Sequence, residues 1–322
     1  MRNRNLLLGA VLAALLGLAA AAAPWLAPYD PDEQLDPAMA SYRPPGTSLA
    51  AAHLADGTWR LADRAERVPA GLRIERRGQT EVLPAGRILN LTPGGVADRR
   101  FYLLGSDKFG RDVWSRMLWG GRISLAIGLL AAVLSLLLGV SVGAAAALGG
   151  PRIDNLLMRG VDAFLAFPPV LLLVTLAALF KPDTRALVLI LALGSWMGIS
   201  RLTRAELLSL KEREFVLAAR TIGLGPFRIF WRHLLPNALT PVVTQTMLLI
   251  GQIILVESSL SFLGLGVQPP TATWGNMVAD GQSSLSSAWW IVTFPGAAIS
   301  LAVIAFNLLG DGLRDVLDPR TR

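Results

Sequence analysis

Long runs of apolar residues recur along this chain, and most of them approach the length that an α-helix needs to cross a bilayer. A spanning helix requires about 20 mainly apolar residues. Six such runs occupy 6–23, 123–148, 161–180, 186–200, 238–256 and 289–309. The run at 186–200 is short, but it can extend helically through Leu202. Because 53% of the 322 residues are hydrophobic and only 16% are charged, we predict an all-α polytopic membrane protein with six transmembrane helices.

The first apolar run has two interpretations. Arg2 and Arg4 precede it and Ala21-Ala22-Ala23 ends it, and these are the usual ingredients of a cleaved signal peptide. Pro24 follows the alanines directly and is a poor context for cleavage. We therefore favour a retained first helix.

The segment 24–117 is polar, and no apolar run in it is long enough to span. Partial alternation over 71–83, around a possible turn at Arg77-Gly78-Gln79, indicates a β-hairpin. We predict a modest extramembrane domain here. After it, the shared face of Trp114, Met117 and Gly121 predicts an interfacial helix over 111–121, before the second span.

Basic residues in the short connections indicate the orientation, because arginine and lysine accumulate on the cytoplasmic side. With the N-terminus inside, the short outer loops carry only Lys181 and Arg185. The inner basic residues are Arg2, Arg4, Arg152, Arg159, Arg201, Arg204, Lys211, Arg213, Arg220, Arg228, Arg232, Arg314, Arg320 and Arg322. Both termini are therefore predicted to be cytoplasmic, and residues 24–117 and 257–288 to be outside.

Composition excludes several kinds of site. The chain has no cysteine, so disulfides and thiolate chemistry are excluded. Its two histidines, His53 and His233, lie in different extramembrane segments, which excludes a His-rich metal site and a Ser–His pair within the bilayer. The net charge of +7 is explained by topology rather than by nucleic-acid binding. We predict a protein that is not an enzyme.

Two further absences concern energy coupling. The chain has no G-x-x-x-x-G-K-[ST] motif, so any ATP must be hydrolysed by another chain. An ion-coupled secondary transporter is the alternative from a different class. It is disfavoured because the span pattern shows no internal repeat.

Residues 215–237 read FVLAARTIGLGPFRIFWRHLLPN and lie between two apolar runs. Helical spacing places two sets of residues on one face each: Phe215, Ala218, Ala219 and Ile222, then Phe227, Phe230, Trp231 and Leu234. Gly223-Leu224-Gly225 breaks the first helix, and Pro226 suits the first turn of a second. We predict two short amphipathic helices, the first exposing Ala218 and Ala219. Periodicity alone does not decide whether they dock on a partner protein or lie on lipid headgroups.

The same stretch resembles the EAA loop of ABC importer permeases, a pattern of Glu-Ala-Ala, three residues, Gly and a later Leu-Pro. Ala218 and Ala219 match the alanines, Gly223 matches the glycine, and Leu235-Pro236 match the final pair. Leu217 stands where the glutamate would be, which removes one expected polar contact. In that family the loop is a coupling helix that docks in a groove of the ATPase subunit.

Further motifs are similar to the dipeptide/oligopeptide/nickel permease family, and in particular to its second, C-type permease subunit. They cover nearly the whole chain except about 40–100, where the outer segment is longer than usual. The motifs are PWLAPYDP (24–31), LGSDKFGRDVWSRMLWGGRISL (104–125), LMRGVDAFLAFPPVLL (157–172), ESSLSFLGLGVQPPTATWGNMVADG (257–281) and AFNLLGDGLRDVLDPR (305–320).

The resemblance implies the type I ABC importer permease fold, with an extracytoplasmic insertion between helices 1 and 2. The expected divisions are 1–24 for the N-terminus and first helix, 25–118 outside, 119–311 for the permease domain and 312–322 for the tail. The coupling loop is 201–236. The expected ATPase-coupling residues are Phe215, Leu217, Ala218, Ala219, Arg220, Gly223, Gly225, Pro226, Leu235 and Pro236.

The implied partners are a homologous permease, two ATPases that bind ATP and Mg, an extracytoplasmic solute-binding protein and membrane lipid. The chain itself is expected to bind no cofactor and no metal. Peptides are the favoured substrate, with nickel chelates, glutathione or sugars as alternatives. The expected location is a bacterial or archaeal inner membrane.

Five residues are candidates for the pathway or its gate. Glu257 lies at the end of an apolar run, where it either lines the pathway or pairs with the partner permease. Pro168 and Pro169 interrupt a span and form either a hinge or a static kink, of which the kink is favoured. Gly264 and Gly266 lie in a broken stretch that the resemblance implies is an outer, gate-forming connection.

Overall fold

The computed structural model describes residues 2–89, 98–180 and 183–317. Helices dominate it, in the order α1 (Arg2–Ala21), α2 (Ala23–Leu26), α3 (Pro37–Ala40), α4 (Val113–Leu148), α5 (Gly150–Leu165), α6 (Pro169–Phe180), α7 (Thr184–Lys211), α8 (Glu214–Thr221), α9 (Pro226–Ile229), α10 (Leu235–Phe262), α11 (Trp274–Gly281) and α12 (Trp290–Leu317). The predicted inner charges Arg320 and Arg322 and the outer Lys181 lie outside the described residues.

The described residues fall into two compact units. The first takes its residues from Met1–Leu18, Ser124–Gln268 and Ile299–Arg322. The second takes them from Ala19–Ile123 and Pro269–Ala298.

Five helical stretches of the described chain are long and apolar enough to cross a membrane. They are Arg4–Ala21, Val113–Leu148, Thr184–Lys211, Pro226–Phe262 and Trp290–Val316. The pair α5 and α6 makes a sixth span if it crosses as one bent element. Helix α6 alone, with 12 residues, is about 18 Å long, which is short of the ~30 Å hydrocarbon core.

The predicted span at 161–180 is broken rather than kinked. Helix α5 ends at Leu165, α6 begins at Pro169, and the two axes are bent by 78°. Each of two consecutive prolines disfavours helical geometry at the residue before it, so Phe167 and Pro168 leave the helix together. Pro169 then suits the first turn of α6, where its missing N–H is not needed.

The predicted interfacial helix at 111–121 is not a separate element. Helix α4 begins at Val113 and continues for 36 residues. The Asp112 carboxylate caps it by accepting a hydrogen bond from the Ser115 N–H at 2.7 Å. Since no proline interrupts 113–148, nothing stops the helix between the amphipathic start and the apolar run.

Small residues allow the helices of the first unit to approach closely. A Cβ added to Gly139 of α4 would lie 2.9 Å from the Trp196 carbonyl oxygen of α7. The α4 hydroxyl of Ser135 donates to the Ala192 carbonyl of α7 at 3.1 Å. Such contacts are typical of helix packing in membranes, where backbones meet at small side chains.

The described residues of the second unit include six strands, β1 (Thr47–His53), β2 (Trp59–Ala62), β3 (Arg64–Val68), β4 (Gly71–Arg76), β5 (Gln79–Pro84) and β6 (Asp98–Tyr102). They form two three-stranded sheets, ordered β2-β1-β6 and β3-β4-β5. All pairs are antiparallel. The sheets share an apolar core of Ala52, Leu54, Ala62, Leu72, Ile74, Leu83 and Ile88.

The predicted hairpin is confirmed as β4–β5. Arg76 is opposite Gln79, so the loop has two residues, Arg77 and Gly78. Both have positive φ, +49° and +82°, as a type I′ turn requires. The strands lie within the predicted 25–118 segment, whereas the apolar runs are helical, as the fold-class prediction states.

Candidate functional site

The coupling loop contains one short helix that ends in a glycine cap. Helix α8 stops at Thr221, and Gly223 adopts a φ of +81°. The Leu224 N–H bonds to the Ala219 carbonyl at 3.1 Å, and the Gly223 N–H bonds to the Arg220 carbonyl at 2.9 Å. This pair is a Schellman motif, in which the capping residue is left-handed and glycine is favoured. The predicted glycine break therefore has a defined geometry.

The second predicted short helix does not end before the next span. From Pro226, α9 continues through a π-helical turn, Phe230–Leu234, into α10. In that turn the Leu235 N–H bonds to the Phe230 carbonyl, five residues back. Pro236 lacks an N–H, and the widened turn before it absorbs the missing bond without ending the helix. Leu235 and Pro236 are thus the first residues of α10.

One face of this loop packs on the spans. Val216 and Ala219 of α8 are buried, Ala219 being 5% exposed. The cluster that holds them draws on α4, α7, α9 and α10 and comprises Ala144, Ala147, Leu207, Val216, Ala219, Ile229, Leu234 and Ala238. The sequence-based expectation that Ala219 is exposed is wrong. Its small side chain allows α8 to approach this cluster closely.

The opposite face is exposed and apolar. Ala218 lies there, with Arg220 also exposed nearby. The large apolar side chains on the surface of the loop are Phe215, Leu217, Ile222, Phe227 and Trp231. Phe227 is 76% exposed, and its ring centroid lies 6.1 Å from that of Trp231. A cluster of exposed apolar side chains indicates an interaction surface. Gly225, which precedes α9, and Pro226, the first residue of α9, are also exposed.

Ion pairs connect α5 to the part of α7 that forms the start of the coupling loop. Arg204 forms a bidentate ion pair with the Asp154 carboxylate, and Arg201 pairs with Asp162. Further along α7, the Lys211 ammonium donates to the Ala147 carbonyl of α4. Because a bidentate arginine–carboxylate pair fixes orientation as well as distance, α5 and α7 are aligned at this end.

Glu257 is buried inside the first unit, with 0% of its surface exposed. Its carboxylate accepts hydrogen bonds from the Ser261 hydroxyl at 2.8 Å and the Ser258 hydroxyl at 3.5 Å. Its side chain therefore does not reach the surface of the chain in this conformation. The hydroxyls are on the same helix as the carboxylate, α10.

The residues after α10 fold back on its end. Gly264 has a φ of +76°, and the Leu265 N–H bonds to the Leu260 carbonyl at 2.8 Å, which is a second Schellman motif. Gly266 lies directly on Ser261, since a Cβ on Gly266 would be 2.6 Å from the Ser261 Cα. The Gln268 side-chain amide donates to the Gly266 carbonyl at 3.0 Å. Residues 263–268 thus form an ordered turn, called here the 263–268 turn.

The break at Pro168 and Pro169 adjoins an apolar cavity of about 310 Å³. Its lining comes from α4, α5, α6 and α7 and comprises Leu138, Val142, Phe164, Leu172, Leu176, Leu193 and Trp196. The rings of Phe164 and Trp196 meet edge to face, with centroids 6.4 Å apart. The cavity lies at the lower end of the size range of ligand pockets, about 300–1,000 Å³.

The second unit contains an ion-pair cluster that sequence reasoning did not identify. Asp107 and Arg111 are both buried and pair at 2.6 Å. Arg111 also pairs with Asp280 of α11 at 3.0 Å, as does Lys108. Arg116 of α4 pairs with Asp32 at 3.0 Å. The ion pairs join two segments, 104–125 and 257–281, that both carry motifs of the permease family. That shared feature was the one sequence indication of the cluster.

Two nearby groups in the second unit have pKa values raised by burial. Burial raises the pKa of the Asp112 carboxyl, against hydrogen bonds from Ser115 that lower it. Burial likewise raises the pKa of the Tyr102 phenol to about 12. In the described ranges, no group of three or more His, Asp or Glu side chains is arranged to hold a metal ion.

Comparison with known proteins identifies the family. A family model described as "Binding-protein-dependent transport system inner membrane component" matches residues 135–322, and one described as "N-terminal TM domain of oligopeptide transport permease C" matches residues 1–45. A putative peptide transport system permease protein of Brucella suis is 46% identical over 221 residues, covering 69% of this chain and 74% of that protein.

One further relative and one solved structure are also similar. The dipeptide transport system permease protein DppC of Bacillus subtilis is 42% identical over 234 residues, covering 72% of each chain. A solved inward-facing structure of the MetNI methionine ABC transporter has a similar fold, with a TM-score of 0.52 and 17% identity. It covers 62% of this chain and 94% of the solved one. The family model over residues 135–322 and these two relatives show that the chain belongs to the family of binding-protein-dependent transport system inner membrane components, the permease subunits of ABC importers.

Proposed function

We propose that this permease imports peptides and forms half of the translocation pathway, with a homologous permease forming the other half. The peptide assignment is supported by the relatives from Brucella suis and Bacillus subtilis, whose names specify peptide and dipeptide transport. Nickel chelates, glutathione and sugars are the competing substrates. The two ATPases and the solute-binding protein are separate chains, and this chain supplies no catalytic residue.

The observation that carries the proposal is the two-faced coupling loop. One face of α8 is held by a cluster that includes residues of α4, α7 and α10. The other face presents apolar side chains around the small residue Ala218. A partner that pushes on the exposed face therefore displaces the ends of three spans together.

Packed cores respond to such a displacement as rigid bodies rather than by continuous deformation. ATP binding closes the ATPase pair, and the coupling loop transmits that closure to the spans. The differential affinity of the ATPases for the two arrangements of the loop sets how far the equilibrium shifts. The permease then alternates between inward-open and outward-open states.

The orientation is also part of the proposal. The coupling loop and both termini are cytoplasmic, whereas the sheets of 47–102 and the 263–268 turn are outside. The divisions at 1–24, 25–118, 119–311 and 312–322 follow from this orientation. The location is the inner membrane, where relatives of this family function.

The test replaces one exposed alanine on α8 and one on α7. Ala218→Trp adds a large side chain in the middle of the proposed docking face, so the ATPases should no longer copurify with the permease. Ala205→Trp makes the same change at an exposed site on α7, away from that face, and should leave copurification intact. Both variants should insert normally, because neither alanine is buried.

The result that contradicts the coupling assignment is normal ATPase binding and normal uptake by Ala218→Trp. The loop would then be a helix on the lipid surface. For the substrate, the copurified binding protein is titrated with dipeptides and with nickel. Binding of nickel without binding of dipeptides would overturn the peptide assignment and leave the permease assignment in place.

A further inference from the structure

The end of α10 contains a chain of contacts that begins at Glu257 and ends in the 263–268 turn. The Glu257 carboxylate accepts the Ser261 hydroxyl at 2.8 Å. This bond fixes the Ser261 side chain one helical turn further along α10. Buried polar groups of this kind are retained only when they are hydrogen-bonded, so both partners are constrained.

The second contact passes from Ser261 to the turn. Gly266 packs on the Ser261 backbone and hydroxyl so closely that a side chain at 266 would overlap both. Within the turn, the Gln268 side-chain amide donates to the Gly266 carbonyl at 3.0 Å. Val267, between them, is buried and only 4% exposed. The turn is therefore seated on α10 through Ser261.

We infer that Glu257 is a positioning residue for the outer closure of the pathway. It acts through Ser261, which holds the 263–268 turn in place, rather than by lining the pathway itself. This inference rests on the proposed function in one respect, namely that the turn lies at the outer end of the pathway. The contacts that carry it do not depend on the substrate.

The conservative and disruptive substitutions at Glu257 separate its possible roles. Glu257→Gln keeps an oxygen that accepts the Ser261 hydroxyl, whereas Glu257→Leu removes the acceptor. If the carboxylate acts by holding Ser261, the Gln variant should behave like the unsubstituted protein. If the negative charge itself were needed, both variants should fail alike.

The absence of native cysteine allows the turn to be probed directly. Val267→Cys introduces one thiol at the buried centre of the turn, and its rate of reaction with N-ethylmaleimide reports how often the turn opens. Membranes that contain the complete importer are used, and the permease is resolved on a gel. In the Glu257→Leu background, we expect Val267→Cys to react about tenfold faster. Ser261 loses its hydrogen-bond acceptor, so the turn that packs on Ser261 opens more often.

Matched variants control the measurement. Leu263→Cys, at the exposed first residue of the turn, should react at the same rate in every background. Ser261→Ala should accelerate Val267→Cys as Glu257→Leu does. Ser259→Ala should not, because the Ser259 hydroxyl faces outward and donates to Leu255 of its own helix. The serine pair keeps the test decisive if Glu257→Leu fails to accumulate.

An unchanged rate at Val267→Cys in both Glu257→Leu and Ser261→Ala would overturn the inference, as would equal acceleration by Glu257→Gln. Uptake is measured in parallel. We expect the maximal uptake rate per permease to fall with Glu257→Leu and to be retained with Glu257→Gln. A failure of the peptide proposal would appear as no peptide uptake by the unsubstituted importer, with the labelling pattern unaffected.

Discussion

Two neighbouring alanines in the coupling loop differ in exposure. Ala218 is exposed, whereas Ala219 is buried among residues of the spans. Consecutive helix positions are about 100° apart, so a small shift of the buried face decides which alanine meets a partner. Sequence periodicity placed both on one face with Phe215 and Ile222 and predicted that both alanines are exposed. Phe215, Ala218 and Ile222 are exposed, whereas Ala219 is buried with Val216.

At the same scale, replacing each of the two glycines after α8, Gly223 and Gly225, with alanine should affect stability differently. Gly223 has a positive φ, so Gly223→Ala places a Cβ in a left-handed conformation at a cost of about 1–2 kcal/mol. Gly225 has a φ of −66° and open space around it, so Gly225→Ala should be nearly neutral. Thermal unfolding of the purified importer checks this. Equal effects of the two substitutions would contradict the glycine-cap account.

At the scale of elements, the sequence predicted those features that depend only on residues close together in the chain. The apolar runs, the glycine break and the β4–β5 hairpin follow from composition and spacing within a few residues of each other. The 78° bend between α5 and α6 was not predictable, because prolines interrupt a helix without setting the angle at which it resumes. Strand β6 joins β1 across about fifty residues, and no local pattern indicates that pairing.

The ion-pair cluster at α11 is likewise non-local, and its members should differ in importance. Asp107 is buried and meets Arg111 at 2.6 Å. Asp107→Asn leaves a buried guanidinium less compensated, so we expect a loss of about 3–5 kcal/mol. Asp280 is partly exposed and Arg111 retains Asp107 in its absence, so Asp280→Asn should cost about 1.5–3 kcal/mol.

An exposed pair in the same unit is the control. Glu66 and Arg73 are 3.9 Å apart and both are exposed, so Glu66→Gln should change stability by about 0–1 kcal/mol. The three variants are compared by denaturant or thermal unfolding of the importer in detergent. If Glu66→Gln proved as costly as Asp107→Asn, burial would not be the reason that this cluster stabilises α11.

At the scale of the whole molecule, the proposed function requires the coupling loop and the two sheets to lie on opposite sides of the membrane. Charge distribution supports this, since the short outer connections carry only Lys181 and Arg185, whereas arginines recur in the inner connections. Across the described ranges, five long apolar helices and one bent pair give an even number of crossings when the pair counts as one span. An even number places both termini on the same side.

The cysteine-free sequence makes this arrangement directly testable. Thr80→Cys, on the exposed β5 strand, and Thr221→Cys, at the exposed end of α8, are each treated with a membrane-impermeant maleimide in intact cells. We expect Thr80→Cys to react at once and Thr221→Cys to react only after the membrane is permeabilised.

If the α5–α6 pair turned back within the bilayer instead of crossing it, the five remaining spans would put the N-terminus and the coupling loop on opposite sides. With Thr80→Cys outside, the single span before the sheets keeps the N-terminus inside in either case, so a cysteine at exposed Asn5 would stay protected while Thr221→Cys reacted in intact cells. Protection of both therefore identifies the bent pair as a full span.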